Sequence, residues 1–169
     1  MPRPEVNIHR CRCGKVEVEI AGPPILVAAC HCDDCQAGAA RLSALPDGPS
    51  VLDEYAGTPS VLYRKDRVRI VAGKDLVQPR KLQPKSPTNR LFARCCNTPL
   101  MVSFDNALHW LPVYPVLLGD KAPPLEMRVN TSFIPEGVRQ PRDVPAYRSF
   151  PPRFVLRLVA ARVAMAFGR

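Results

Sequence analysis

Residues 30–35 read Cys30-His31-Cys32-Asp33-Asp34-Cys35. Three thiols fall within six residues at C-x-C and C-x-x-C spacings, too tight for separate disulfides and well suited to one metal ion. Zinc takes thiolates at about 2.3 Å and prefers a tetrahedron, so three protein sulfurs leave one position open. Burial as a small apolar group accounts for one such cysteine but hardly for three. The two intervening aspartates also argue against an apolar setting. Cys30, Cys32 and Cys35 are therefore read as a zinc-held catalytic set with an open fourth position.

Working outward, residues 25–29 read as the strand that delivers the chain to Cys30. Residues 36–42, small and Ala-rich, read as a short helix that Asp33 or Asp34 caps. Its N-terminus would help keep Cys35 ionised. Upstream stands Cys11-Arg12-Cys13-Gly14, followed by Val16, Val18 and Ile20 alternating with charged residues. That alternation is a half-buried strand. Residues two apart on extended chain face the same way, so Cys11 and Cys13 can reach one ion. Gly14 supplies the permissive backbone for a loop over it.

The second decisive stretch is Arg90-Leu91-Phe92-Ala93-Arg94-Cys95-Cys96-Asn97-Thr98-Pro99-Leu100. A strand arrives, two adjacent thiols follow, and residues 100–104 start another strand. Asn97 is the non-glycine type best able to take the left-handed turn that a metal knuckle demands. A Cys95–Cys96 disulfide is the competing reading; it would be strained and disfavoured in a reducing compartment.

With 169 residues the chain is one domain or one domain with a tail, and 46% hydrophobic residues exclude a wholly disordered chain. Its 20 prolines favour short strands and loops over long helices. A net charge of +9 suits nucleic acid, a membrane surface or small anions without choosing among them. Few aromatics interleave with the basic residues, which disfavours a nucleic-acid partner. Seven cysteines, an odd number, and an opening Met1-Pro2-Arg3-Pro4-Glu5 without an apolar run point to a cytoplasmic protein rather than a secreted one. No stretch approaches the roughly 20 apolar residues of a membrane span.

In order, C-x-C-G, C-H-C-x-x-C, and R-x-F with a cysteine knuckle and Thr-Pro-Leu resemble the GFA family. These are the glutathione-dependent formaldehyde-activating enzymes and their centromere protein V-like relatives. The resemblance spans roughly residues 8–104 and implies a mainly β, β-tent fold of small antiparallel sheets with zinc knuckles. It implies two zinc sites, one structural with four cysteines and one catalytic with three. Position by position, Cys11, Cys13 and Cys96 match the structural site, and Cys30, Cys32 and Cys35 the catalytic one. The knuckle departs from the family pattern: Ala93 stands where a cysteine is usual and Asn97 where a glycine is. That makes this a divergent branch with a C-C-x-T-P knuckle. Cys95 through an altered turn, His9, or no residue at all would complete the structural set. His31 is expected to point away from the metal.

Residues 1–104 are read as the GFA-like zinc-binding β domain and residues 105–169 as an extension packed on it. Within the extension, residues 126–133 suggest an edge strand, and residues 153–167 a helix that packs or forms a homo-oligomer. By resemblance the function is that of a carbon–sulfur lyase-like enzyme acting on thiol–aldehyde adducts of the S-hydroxymethylglutathione type. Zinc would be the cofactor, at one or two per chain, and a small thiol such as glutathione the partner. The alternative is a non-catalytic, zinc-stabilised binding module for a protein or nucleic acid.

Overall fold

The alternation of apolar and polar residues that marks the strands also decides which face of which sheet each side chain serves. A computed structural model describes residues 5–168. The opening Met1–Pro4, read above as free of an apolar leader, lies outside the described residues. The strands are β1 (Val6–Arg10), β2 (Glu17–Ala21), β3 (Leu26–Cys30), β4 (Thr58–Arg64), β5 (Val68–Ala72), β6 (Val77–Arg80), β7 (Thr88–Ala93), β8 (Thr98–Phe104), β9 (Trp110–Val113) and β10 (Met127–Val129). The helices are α1 (Asp33–Ser43), α2 (Pro115–Leu118) and α3 (Pro152–Ala166).

A three-stranded sheet runs β1-β2-β5, and a seven-stranded sheet runs β10-β3-β4-β9-β8-β7-β6. The fold is mainly β with a C-terminal helix. Pairing is antiparallel except at one edge, where β10 lies parallel to β3 with Val129 beside Cys30. Strands β9 and β10 bring residues beyond 104 into the large sheet.

Period-two alternation assigns the two faces of the large sheet. Val61 and Tyr63 of β4, Met101 of β8 and Val113 of β9 face the small sheet, where they pack with Val16, Val18, Ile20 and Val68. On the opposite face Leu62 joins Leu26, Ala28, Met127, Val129 and Phe154 of α3. Farther along that face, Phe92 and Tyr114 pack with Ala39 and Leu42 of α1. The large sheet thus lies between the small sheet on one side and α1 and α3 on the other.

Two strands escape the sequence reading. Strand β6 occupies a charged stretch containing Pro79, which is tolerated because β6 is an edge strand. Strand β1 is short and half exposed, and carries no long alternation. Helix α1 begins at Asp33, three residues earlier than expected. Cys32 occupies its N-cap without a side-chain cap bond, which corrects the expectation of an aspartate cap. Asp33 and Asp34 sit instead in the first turn, where carboxylates interact favourably with the helix dipole. Helix α3 buries Phe154 and half-buries Leu158, while Val155, Leu156, Val159 and Val163 are exposed. Among the described residues no helix is long and apolar enough to cross a membrane.

Candidate metal centres

Two groups of cysteines converge, and both match the groupings read from the motifs. The sulfurs of Cys11, Cys13, Cys95 and Cys96 lie within 4.8 Å of one another, as do those of Cys30, Cys32 and Cys35. A tetrahedron with zinc–sulfur bonds of about 2.3 Å has sulfur–sulfur edges of about 3.8 Å. In the first set Cys11–Cys13 is 3.6 Å, Cys11–Cys95 3.9 Å and Cys95–Cys96 3.9 Å. Cys13–Cys95, at 3.3 Å, is shorter. In the second set Cys30–Cys32 is 3.4 Å. Soft donors at these separations fit one thiophilic dication per set.

Local turns assemble the four-sulfur set. Between β1 and β2, Gly14 adopts φ +79° and its N–H bonds the Cys11 carbonyl at 2.8 Å, which curls the loop. Between β7 and β8, Asn97 takes φ +54°, the left-handed turn expected of it. Arg12 ties the two turns together: its N–H donates to Thr98 Oγ1 at 3.1 Å and its guanidinium to the Cys96 carbonyl at 3.3 Å. Cys95, and not His9, brings the fourth donor atom. His9 is buried in β1 and lies outside the group. All seven cysteines are free thiols, and the 3.9 Å between Cys95 and Cys96 is far from the roughly 2 Å of a disulfide. Burial works to raise the Cys96 thiol, but hydrogen bonds from Thr98 and from the Cys13 and Thr98 backbone outweigh it and bring it to about 6. One member of the set is thus ready to be a thiolate near neutral pH.

The three-sulfur set is built where β3 runs into α1. Cys30 ends the strand, Cys32 caps the helix and Cys35 lies in its first turn. The unpaired N–H groups of a helix start favour negative charge there. Asn130, just past β10, donates from Nδ2 to Cys30 Sγ at 3.3 Å. Hydrogen bonding with Cys32 and Cys35 pushes the Cys30 thiol down to about 3. Cys35 is pushed up, first by Cys30 and Cys32 and then by burial. Three converging thiols form a donor set that a soft cation would complete by replacing their protons. His31 is fully buried, with its ring against Gly57, and lies outside the sulfur group, as the sequence suggested.

Among the described residues, the three-sulfur set borders a cavity. A space of about 210 Å³ lies on the helix-bearing face of the large sheet, between the start of α1 and the start of α3. Cys30, Cys32 and Cys35 line it, and no member of the four-sulfur set does. Two residues around the three-sulfur set were not assigned from sequence. Arg90 was noticed only as part of a motif, yet here it is a buried side chain of the cavity. Asn130 stands 100 residues from its partner Cys30, and no local signal announces it.

The profile of the glutathione-dependent formaldehyde-activating enzyme family matches residues 7–46. Over that segment the chain is similar to the GFA family. The matched GFA segment holds Cys11 and Cys13 and the whole Cys30, Cys32, Cys35 set, and ends well before the divergent knuckle. A crystal structure of a Rhodobacter sphaeroides protein is similar at 19% identity and a TM-score of 0.46, covering 83% of this chain and 99% of that one. Comparison with curated proteins gives no match.

Proposed function

We propose that this GFA-type chain is a zinc-dependent carbon–sulfur lyase-like enzyme acting on thiol–aldehyde adducts. Cys30, Cys32 and Cys35 would hold the metal at the reaction site, and Cys11, Cys13, Cys95 and Cys96 a structural metal. The observation that carries the reading is the asymmetry between the sets: three sulfurs on a cavity wall, four sulfurs away from it. When bound, zinc supplies an open coordination position and an electrostatic pull that lowers the pKa of a thiol. In the forward direction the substrate sulfur adds to the aldehyde carbon and the carbonyl oxygen gains the proton. In reverse the carbon–sulfur bond breaks and sulfur recovers it. The protein's part is to hold the sulfur set rigidly, through the α1 N-terminus and Asn130, and to exclude water with the apolar cavity.

Two measurements test this. Elemental analysis of protein purified without chelator should give two zincs per chain. Turnover of formaldehyde with a thiol, followed by NMR, should vanish in Cys35→Ser while the circular dichroism spectrum stays native. Turnover at the wild-type rate in Cys35→Ser sinks the enzymatic reading of this set. The non-catalytic binding module draws its support from the exposed apolar residues of α3. For that reading the wild-type protein should bind zinc but give no turnover with any thiol.

Asn130 gives a graded test. Hydrogen bonds to metal ligands typically contribute a factor of roughly 10–100 in metal affinity. Asn130→Ala should therefore weaken one zinc by that order in chelator competition and leave the other unchanged. Equal affinity of both zincs in wild type and variant would remove Asn130 from the site.

A further inference from the structure

The cavity beside the three-sulfur set has walls that do not suit glutathione. Leu62, Phe104, Trp110, Tyr114, Phe150 and Phe154 line it. The Phe104 and Trp110 rings meet edge to face at 5.3 Å, and those of Phe150 and Phe154 lie 4.8 Å apart. A cavity of about 150 Å³ suffices to hold benzene. At about 210 Å³, this one accommodates a ring with a short side chain.

One cation is buried among these walls. Arg90 is only 5% exposed, and its Nη2 donates to the Asp34 carbonyl at 2.6 Å. Its Nη1 is fully buried and has no hydrogen-bond partner among the described residues. A buried donor left unmatched costs about 1–3 kcal/mol, and more when charged. The guanidinium is also held in place. α1 lays Gly38 directly over it, so that a Cβ at residue 38 would lie 1.8 Å from Arg90 Nε. A fixed, unsatisfied guanidinium donor in an apolar chamber is a receptor for a planar anion, and carboxylates match it best.

We infer that the cavity selects a small apolar monocarboxylate, its anion held by Arg90 and its body by the aromatic walls. Resting on the thiol–aldehyde reading above, the substrate thiol is then an apolar mercapto acid rather than glutathione. Glutathione carries two carboxylates, an ammonium and two amides. Asp34, Thr58, Ser60 and Thr88 also line the cavity, Thr58 already donating to the Cys35 carbonyl at 3.3 Å, and they are too few to partner all of these groups. Each buried group left without a partner would cost about 1–3 kcal/mol. Leaving those groups in solvent would leave the aromatic walls uncovered.

The single tryptophan, Trp110, lies on the wall, so its fluorescence reports occupancy of the zinc-loaded, reduced full-length protein. The probes are 3-phenylpropanoate, its neutral analogue 3-phenylpropanol, 2-mercapto-3-phenylpropanoate and glutathione. The acid should bind wild type at least about tenfold more tightly than the alcohol, equivalent to about 1.4 kcal/mol. Arg90→Met should erase that preference while still binding the alcohol. Glutathione should bind at least about tenfold more weakly than the mercapto acid. Equal binding of acid and alcohol by wild type overturns the inference and makes Arg90 a counter-charge for the thiolates. Glutathione binding more tightly than the mercapto acid overturns it as well. The wild-type comparison needs no variant, so it stands even where Arg90→Met fails to fold. A mercapto acid no tighter than the sulfur-free acid overturns the thiol–aldehyde reading and leaves the carboxylate selectivity of the cavity intact.

Discussion

Cys96→Ser is expected to abolish cooperative folding, whereas Cys35→Ser keeps the native fold. The four-sulfur set joins the turn after β1 to the turn after β7, linking residues 84 apart in sequence between the small and large sheets. Closing so long a loop costs substantial chain entropy, which a metal at the junction would offset. Structural zinc contributes about 10–16 kcal/mol of apparent binding free energy at neutral pH. The whole stability of an ordinary domain is about 5–15 kcal/mol. Losing even half of the metal term therefore takes the chain to or past its unfolding threshold.

The three-sulfur set carries no such burden. Strand β3 is held by β4 on one side and β10 on the other, and α1 buries Ala39 and Leu42 against Phe92 and Tyr114. Thermal melts by circular dichroism, with a zinc count on each variant, check the contrast. A Cys96→Ser protein that melts within a few degrees of wild type would show that the first set is not what closes the fold.

Part of each cysteine set was legible in the sequence because close-spaced thiols leave few alternatives. Spacing alone paired Cys30 with Cys32 and Cys35, and Cys11 with Cys13. The partner of the second pair had to come from the family resemblance, since Cys95 and Cys96 lie more than 80 residues away. Asn97 was readable from its conformational tolerance, and its φ of +54° bears that out. The choice between Cys95 and His9 was not readable, because it depends on the turn after β7 and on Arg12 fastening that turn to the β1–β2 loop. The cavity was invisible for a related reason. Thr58, Ser60 and Leu62, or Thr88 and Arg90, look like ordinary alternation until sheet order puts their faces together under α1 and α3. A strand sequence shows that a side chain has a face, but not what covers it.

Arg128→Met should destabilise the protein by about 1–3 kcal/mol, the cost of leaving the partly exposed Asp53 and Asp143 carboxylates without their charged donor. Arg128 lies in β10 and is buried. Its Nε and Nη2 donate to both oxygens of Asp143 at 2.9 Å, its Nη1 donates to Asp53, and its guanidinium sits over the Tyr55 ring at 4.6 Å. Asp53 in turn accepts the Tyr55 and Gly57 backbone N–H groups at 2.9 and 2.8 Å. One side chain thus fastens two loops to the strand that carries Asn130 to Cys30. At 2–4 °C per kcal/mol for a domain of this size, the melting midpoint should fall by roughly 2–12 °C. Acid titration isolates part of the network. The Arg128 guanidinium holds the Asp143 carboxyl down at about 2, below the unfolded value of about 3.9. Its contribution is therefore complete above about pH 4 and fades as pH falls toward 2. Asp143→Asn should lower the melting midpoint at pH 6, and the gap from wild type should close between about pH 4 and 2. A gap that stays constant over that interval would mean the pair contributes through shape and hydrogen bonding, not charge. Loss of Arg128 should also loosen Asn130, so the zinc weakened in Asn130→Ala is the one expected to weaken in Arg128→Met.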